Sequence, residues 1–380
     1  MSSSVPAKLV KALSTIVTRR LVAEYDRIPY TFIGLSYKKI FNWLAAEASA
    51  AFHSLRPWGW PTHLQIEPAN LCNLSCALCP ISGQMKRQSG HMDLGLFKRL
   101  TDEIGDYVFM MFLWDWGEPF LNPSIYEMIS YAKEKGIKTA SSSNGHLFSD
   151  VVNADKVILS GLDTLIVAVD GISQNTYERY RKKGDLEVVL KGIRTLVERK
   201  RALGSSTPLI NFRFIVMRHN EHEVPRLKEF VRSLGVDVLT IKTLNPCSDD
   251  PYGEKENGGA GKINDLSPLG HAYRRFRYAP DGKTLVRHLR NPCKNLWNSA
   301  TIHHNGVVCP CTYDYDERFP LGDLNVRTFG DIWFSEPYQK MRKWFLENNK
   351  DNHFCYECSY AYEGGSCIDE TVAEAFFFNK

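Results

Sequence analysis

From about residue 62 to Leu244, six short β-rich runs alternate with amphipathic stretches, and this alternation restricts the fold more than any other feature. The runs are HLQIEP, YVFMMFLWD, KTASSS, DTLIVAVD, LINFRFIV and VDVLTIKTL. Between them lie DLGLFKRLTDEI, PSIYEMISYAKEKG, LEVVLKGIRTLVERKRALG and EVPRLKEFVRSLG, whose apolar residues recur at helical spacing. Gly136 and Gly235 stand where helices close, because glycine takes the left-handed conformation of a helix C-terminus without steric cost. Six β–α alternations predict an α/β fold with a parallel sheet, either open and doubly wound or closed into a partial barrel. Strands this apolar fit burial on both faces in either arrangement.

The flanks read differently. Residues 1–60 are predicted to be a helical, basic, amphipathic extension, from AKLVKALSTIVTRRLVAEY and SYKKIFNWLAAEASAAFHSL. Such an extension caps the main domain or docks on a membrane or partner. The barrel-like region spans 61–246, and a linker rich in Gly, Asp and Asn covers 247–284. Its GGAGK is not a phosphate loop, since Ile263 stands where Ser or Thr is required. Residues 285–380 carry six cysteines, a predicted hairpin at Asn305–Gly306 and the helix FGDIWFSEPYQKMRKWFLEN. A segment with so little core of its own calls for a metal staple.

A net charge of +4 is too small to argue for nucleic acid. The first thirty residues lack the uninterrupted apolar core of a secretory signal, so a cytoplasmic location is expected. The ten cysteines are then not a disulfide framework, because the cytosol keeps thiols reduced. They cluster at 72, 76 and 79, at 293, 309 and 311, and at 355, 358 and 367, with Cys247 alone. Clustering in a reducing compartment points to metal or iron–sulfur ligation. Cys72, Cys76 and Cys79 follow the first predicted strand directly, at the strand end where parallel β/α folds build their sites. Three thiolates leave one coordination position open, which marks a catalytic rather than a structural metal.

CxxxCxxC after a first strand resembles the signature of the radical S-adenosylmethionine enzymes, whose fourth ligand is the cosubstrate. Further segments carry the same resemblance. WGEP (Trp116 to Pro119) looks like the family's GGEP motif, with Trp116 in place of the first glycine. SSNG (Ser142 to Gly145) closes the third strand, and VAVDG (Val167 to Gly171) closes the fourth with Ala168 where many relatives have serine. The resemblance implies a partial (β/α)₆ TIM-like barrel. It also implies a [4Fe–4S] cluster on Cys72, Cys76 and Cys79, and S-adenosylmethionine held by Gly117, Glu118, Pro119, Ser143, Asn144, Asp170 and Arg181, with Arg179 a rival for Arg181. A Glu carboxylate suits the amino group of the methionine moiety as a charge-assisted acceptor.

The C-terminal cysteines resemble the short SPASM extension, which implies one auxiliary [4Fe–4S] cluster on Cys293, Cys309, Cys355 and Cys358. Cys311 and Cys367 are spare, and either could displace one of those four. A Cys₄ zinc is the alternative chemistry. The implied reaction is reductive cleavage of S-adenosylmethionine to a 5′-deoxyadenosyl radical that abstracts hydrogen from a substrate. A flavodoxin or ferredoxin would supply the electron. Asp314 and Asp316, just behind Cys309, are the candidate catalytic bases. The substrate stays open among peptides, sugars and lipid-linked molecules. A non-catalytic iron–sulfur or zinc scaffold is the competing reading, and it gives no reason for GEP, SSNG and VDG to fall at successive strand ends.

Overall fold

The structure is a computed structural model that describes residues 5–245, 266–273, 275–281, 284–348, 351, 353–364 and 372–378. Cys247, Cys367 and most of the Gly-rich linker lie outside these residues. All six expected strands form: β3 (His63–Ile66), β4 (Met110–Leu113), β5 (Lys138–Ser143), β6 (Thr164–Ala168), β7 (Leu209–Val216) and β8 (Val238–Thr243). Each pairs with the next in parallel. The crossovers are made by α3 (Leu94–Ile104), α4 (Ile125–Glu134), α5 (Val151–Leu159), α6 (Gln174–Tyr180) with α7 (Leu186–Ala202), and α8 (Val224–Ser233). Side chains of Asp93, Asp150, Ser173 and Asp185 accept backbone N–H groups at helix starts, where four donors lack intrahelical partners. The result is the partial TIM-like barrel, chosen over the open sheet.

Strand alternation divides the barrel wall. Leu64, Ile66, Met111, Leu113, Phe212 and Phe214 join the helices in one apolar cluster. The alternate positions are more polar and include Gln65, Thr164, Asn211, Arg213, Thr240 and Lys242. The expected all-helical N-terminus is corrected here. After α1 (Val5–Thr18) the chain forms a hairpin of β1 (Leu21–Tyr25) and β2 (Ile28–Phe32), and only then α2 (Tyr37–Ala51). LVAEY and IPYTF alternate with period two, and the two turn residues Asp26 and Arg27 both have positive φ. Tyr30 and Phe32 bury against Phe109, Met110, Phe112 and Ala140, on the wall opposite the helices. The Tyr30 hydroxyl donates to Thr164 Oγ1 at 2.8 Å. The hairpin therefore fills one end of the barrel interior.

The cysteine-rich segment extends the same sheet at both edges. β9 (Ser299–Ile302) runs parallel beside β3, followed by antiparallel β10 (Val307–Cys309) and β11 (Gly322–Asp323), while β12 (Val372–Phe377) pairs antiparallel with β8. The expected hairpin at Asn305–Gly306 joins β9 to β10, with Gly306 at φ +91°. Trp297, Phe329, Trp333 and Tyr338 share the core of the barrel helices. The missing core of this segment is thus partly borrowed.

At the hairpin tip Asp26 forms ion pairs with Arg213 and, at 2.6 Å, with Lys242, all three largely buried. Burial, helped by the like charge of Arg213, pushes the Lys242 ammonium down to about 8. Removing the only carboxylate of this triad strands two cations away from water. Asp26→Asn is expected to lower stability by about 3–5 kcal/mol in equilibrium denaturation of the anaerobic protein.

Candidate active site

The loop after β3 carries Cys72, Cys76 and Cys79, and neighbouring loops hold it in place. Ser75 N–H donates to Lys182 O and Ala77 N–H to Tyr180 O, both at 3.1 Å, so the cysteine loop lies along the end of α6. Asn70 binds the returning chain, donating to Gln88 O at 2.8 Å and accepting from Gly90 N–H at 2.7 Å. The thiols act on one another electrostatically: a charge on Cys76 raises both Cys72 and Cys79. Burial, the larger cause, pushes Cys72 up to about 11 and Cys79 up to about 12. None of the three is in a disulfide. Three convergent thiols on one loop, two of them beside an open cavity, fit a cluster held by three thiolates.

The loop after β4 closes over them. Gly117 has φ +103°, and a Cβ there would come 2.4 Å from Ala69 O and 2.9 Å from Leu71 O. This approach lets Glu118 N–H donate to Leu71 O at 2.7 Å. The Glu118 carboxylate is buried and accepts from Asn144 N–H (2.8 Å) and Phe120 N–H (3.3 Å). Burial pushes it up to about 7, against the pull of Asn144, Ser143, Phe120 and Arg181. Pro119 follows, buried, in a short 3₁₀ turn.

The third and fourth strand ends complete the arrangement. Ser143 Oγ accepts from Gly145 N–H at 3.0 Å, and Asn144 Nδ2 donates to Asn73 Oδ1 at 2.7 Å while lying 3.9 Å from Cys72 Sγ. Asp170 is fully buried: Oδ1 accepts from Ile215 N–H at 2.8 Å, and Oδ2 holds Arg181 Nε at 2.7 Å. Asp170 therefore orients Arg181, whose Nη1 lies 3.9 Å from Cys76 Sγ. Cys76, Cys79 and Arg181 border a cleft that also meets Asp115, Lys242 and Asn245.

Asp115, Lys242 and Asn245 were not read from the sequence, and Asp115 is the most telling. Its side chain is buried, the Thr312 hydroxyl donates to Oδ1, and Oδ2 has no hydrogen-bond partner. Burial pushes the carboxyl up, and His303 Nε2 stands 3.6 Å away. The available signal was a lone acid at the end of an apolar strand, directly before WGEP.

Asp314 and Asp316, the bases expected from sequence, have other tasks. Asp314 spends both oxygens on Arg318 N–H (2.8 Å) and Phe319 N–H (3.0 Å). Asp316 accepts from Lys86 N–H at 2.7 Å, fastening the loop behind the cysteines to the C-terminal segment. Neither lines the cleft.

Among the C-terminal cysteines, Asn291 bridges two: Oδ1 accepts from Cys293 N–H and Nδ2 donates to Cys355 O, both at 3.0 Å. Cys293, Cys311, Cys355 and Cys358 are half-buried. Cys309 is fully buried within β10, its Sγ 3.7 Å from His303 Nδ1. In Gly117→Ala the added methyl would meet backbone that cannot yield, at a φ that disfavours any side chain. It is expected to lower the melting temperature and strip iron from the first cysteine loop, read by calorimetry and iron analysis.

The family model of the radical SAM superfamily matches residues 66–231, and that of an iron–sulfur cluster-binding domain, SPASM, matches residues 293–359. The tungsten-containing aldehyde ferredoxin oxidoreductase cofactor-modifying protein of Pyrococcus furiosus is 25% identical over 321 residues, 78% of this chain and 87% of that one. A probable GTP 3′,8-cyclase of Methanocaldococcus jannaschii is 28% identical over 262 residues, 65% of this chain and 84% of that one. The crystal structure of Streptococcus suis SuiB bound to its precursor peptide SuiA superposes with a TM-score of 0.59 at 13% identity, covering 96% of this chain and 88% of that one. With its three-cysteine loop at the head of the barrel and its cysteine-rich extension, the chain belongs to the radical S-adenosylmethionine superfamily as an enzyme with a C-terminal SPASM domain.

Proposed function

We propose that the chain uses S-adenosylmethionine to abstract hydrogen from a polar substrate held in the cleft beside Cys76, Cys79 and Arg181. The observation that carries this reading is the contact chain Leu71–Glu118–Asn144–Asn73, which joins three strand-end loops around the cysteine thiols. A passive iron–sulfur scaffold needs no buried carboxylate tied into the loops beside its thiols. When bound, the cluster and S-adenosylmethionine supply a hydrogen-abstracting 5′-deoxyadenosyl radical by reductive cleavage of a carbon–sulfur bond.

The chain's own residues bind, orient and exclude water. Cys72, Cys76 and Cys79 hold the cluster, and the Glu118 carboxylate takes the amino group of the methionine moiety. Arg181, braced by Asp170, offers Nη1 to its carboxylate. Gly117 and Pro119 shape the approach, and Ser143 and Asn144 set the ribose side. The cleft lining includes the carboxylate of Asp115 and the cations Arg181 and Lys242, which suits a substrate bearing both polar and anionic groups. Asp115, which lines the cleft, replaces Asp314 and Asp316, which do not, as the group positioned to take a substrate proton. A peptide substrate is favoured by the fold shared with SuiB, whose structure holds its precursor peptide.

For the auxiliary cluster we assign Cys293, Cys311, Cys355 and Cys358. All four lie outside the strands, whereas Cys309 is packed inside β10 with its Sγ against the His303 imidazole. Anaerobically reconstituted protein should hold about eight irons, about four after alanine replacement of Cys72, Cys76 and Cys79 together. Cys311→Ala should also fall to about four while Cys309→Ala keeps about eight. The opposite pattern would return the ligand role to Cys309.

Glu118 gives a pH test. With its carboxyl pushed up to about 7, it is mostly protonated at pH 6 and must ionise to receive the amino group. Affinity for S-adenosylmethionine should therefore rise from pH 6 to about 7.5 and level off above, with proton release seen by calorimetry in buffers of different ionisation enthalpy. Glu118→Gln should flatten that slope and weaken binding by about 1.5–3 kcal/mol. An unchanged slope in Glu118→Gln would remove Glu118 from the site.

A further inference from the structure

Helix α1 leaves most of its large apolar side chains in solvent. Its apolar residues Leu9, Val10, Leu13 and Val17 are 60%, 67%, 63% and 80% exposed. At 100° per residue these four fall within an arc of about 100°, one continuous stripe facing solvent. The side held against the protein is the narrower one of Ala12, Thr15 and Ile16, with Thr15 buried and Ile16 packed on the hairpin core, and α1 is tied down at its C-terminal end. There Arg19 donates to Leu35 O at 2.7 Å, Leu35 N–H returns a bond to Arg19 O, and the guanidinium lies over the Tyr37 ring. Tyr37 stacks on Phe41, and both aromatic rings are themselves more than half exposed. A surface helix that served only to cap the barrel would bury its apolar stripe and expose its polar one.

Charge identifies what covers the stripe. Residues 1–23 contain Lys8, Lys11, Arg19 and Arg20 and no acid, the first being Glu24. A second copy packed on the stripe would bring two such cationic, acid-free segments together, which charge repulsion opposes. An anionic bilayer satisfies both features at once, taking the apolar stripe among its acyl chains and the cations among its phosphates. Exposed Tyr and Phe beside an Arg suit the headgroup level. Among the described residues no helix is long and apolar enough to cross a membrane, so the contact lies in the interface plane. None of these residues lines the cleft.

We propose that α1 docks this enzyme peripherally on anionic phospholipid membranes, lying in the interface with Leu9, Val10, Leu13 and Val17 inserted. The test is flotation of the full-length, anaerobically reconstituted protein with vesicles of phosphatidylcholine alone or of phosphatidylcholine and phosphatidylglycerol in equal parts. The expected result is binding to the anionic vesicles, weakened by salt, and little binding to the neutral ones. Leu13→Glu with Val17→Glu should cut binding at least about tenfold, and Lys11→Glu with Arg20→Glu should remove the preference for anionic lipid. Val17→Trp should raise binding to the anionic vesicles at an unchanged melting temperature. Slow 5′-deoxyadenosine formation with dithionite should be the same in all variants, which separates this proposal from the radical reading. Failure of the wild type to float with anionic vesicles overturns the proposal. So does a sedimentation dimer that Leu13→Glu with Val17→Glu splits, because the stripe would then be a self-association face.

Discussion

The absence of one side chain holds the site together. At Gly117 the chain passes so close to Ala69 and Leu71 that no Cβ fits, and every later contact follows from that approach. It sets Glu118 N–H on Leu71 O, and this aims the carboxylate at Asn144 N–H. Asn144 in turn grips Asn73, the residue next to Cys72. Three loops from three strands are thereby fixed relative to one set of thiols. Loops are usually the mobile part of such a fold. Here their polar groups are committed to one another, which is the preorganisation a reactive site requires.

The C-terminal segment is bound to that site rather than appended to it. Trp116, which departs from the family's usual glycine, donates its indole N–H to Thr312 O at 2.8 Å and meets Tyr315 edge-on. The substitution thus gives the barrel a contact with the cysteine-rich segment. Beneath it Glu67 is fully buried and held by Arg87 and His304. Burial alone would favour its neutral form, but those two partners outweigh burial and bring the carboxyl down to about 2. A buried ion pair contributes little net stability, but it costs heavily if one partner leaves. It therefore keeps β3, the loop behind the cysteines and the β9–β10 turn in one arrangement.

The sequence was most legible where its pattern was local. The six strands could be read because each is a short apolar run bounded by helix signals, and the cysteine loop because spacing and strand-end position coincide. The hairpin Leu21–Phe32 was missed because LVAEY directly follows a strongly helical stretch, and its turn is Asp-Arg rather than a glycine turn. Its assignment depends on Tyr30 and Phe32 finding the barrel interior, a contact more than a hundred residues away in sequence. Asp115 was hidden for a similar reason, because its environment comes from Thr312 and His303. Asp314 and Asp316 sat at the right distance from a cysteine in sequence, yet backbone N–H groups claim both oxygens of Asp314 and Oδ1 of Asp316.

Charge balance explains why Arg181 is braced so firmly. Its positive charge acts on Cys72, Cys76, Cys79 and Glu118, lowering all four against the burial that raises them. A cation shared among four acids must not move, since a shift toward one weakens its hold on the rest. Asp170 supplies the restraint by gripping Nε and Nη2 through one oxygen while its other oxygen is fixed on Ile215 N–H. The VDG strand end thus reaches the cysteines through an intermediary. Its aspartate sets the position of a guanidinium, whose charge opposes the burial that raises the acids around it.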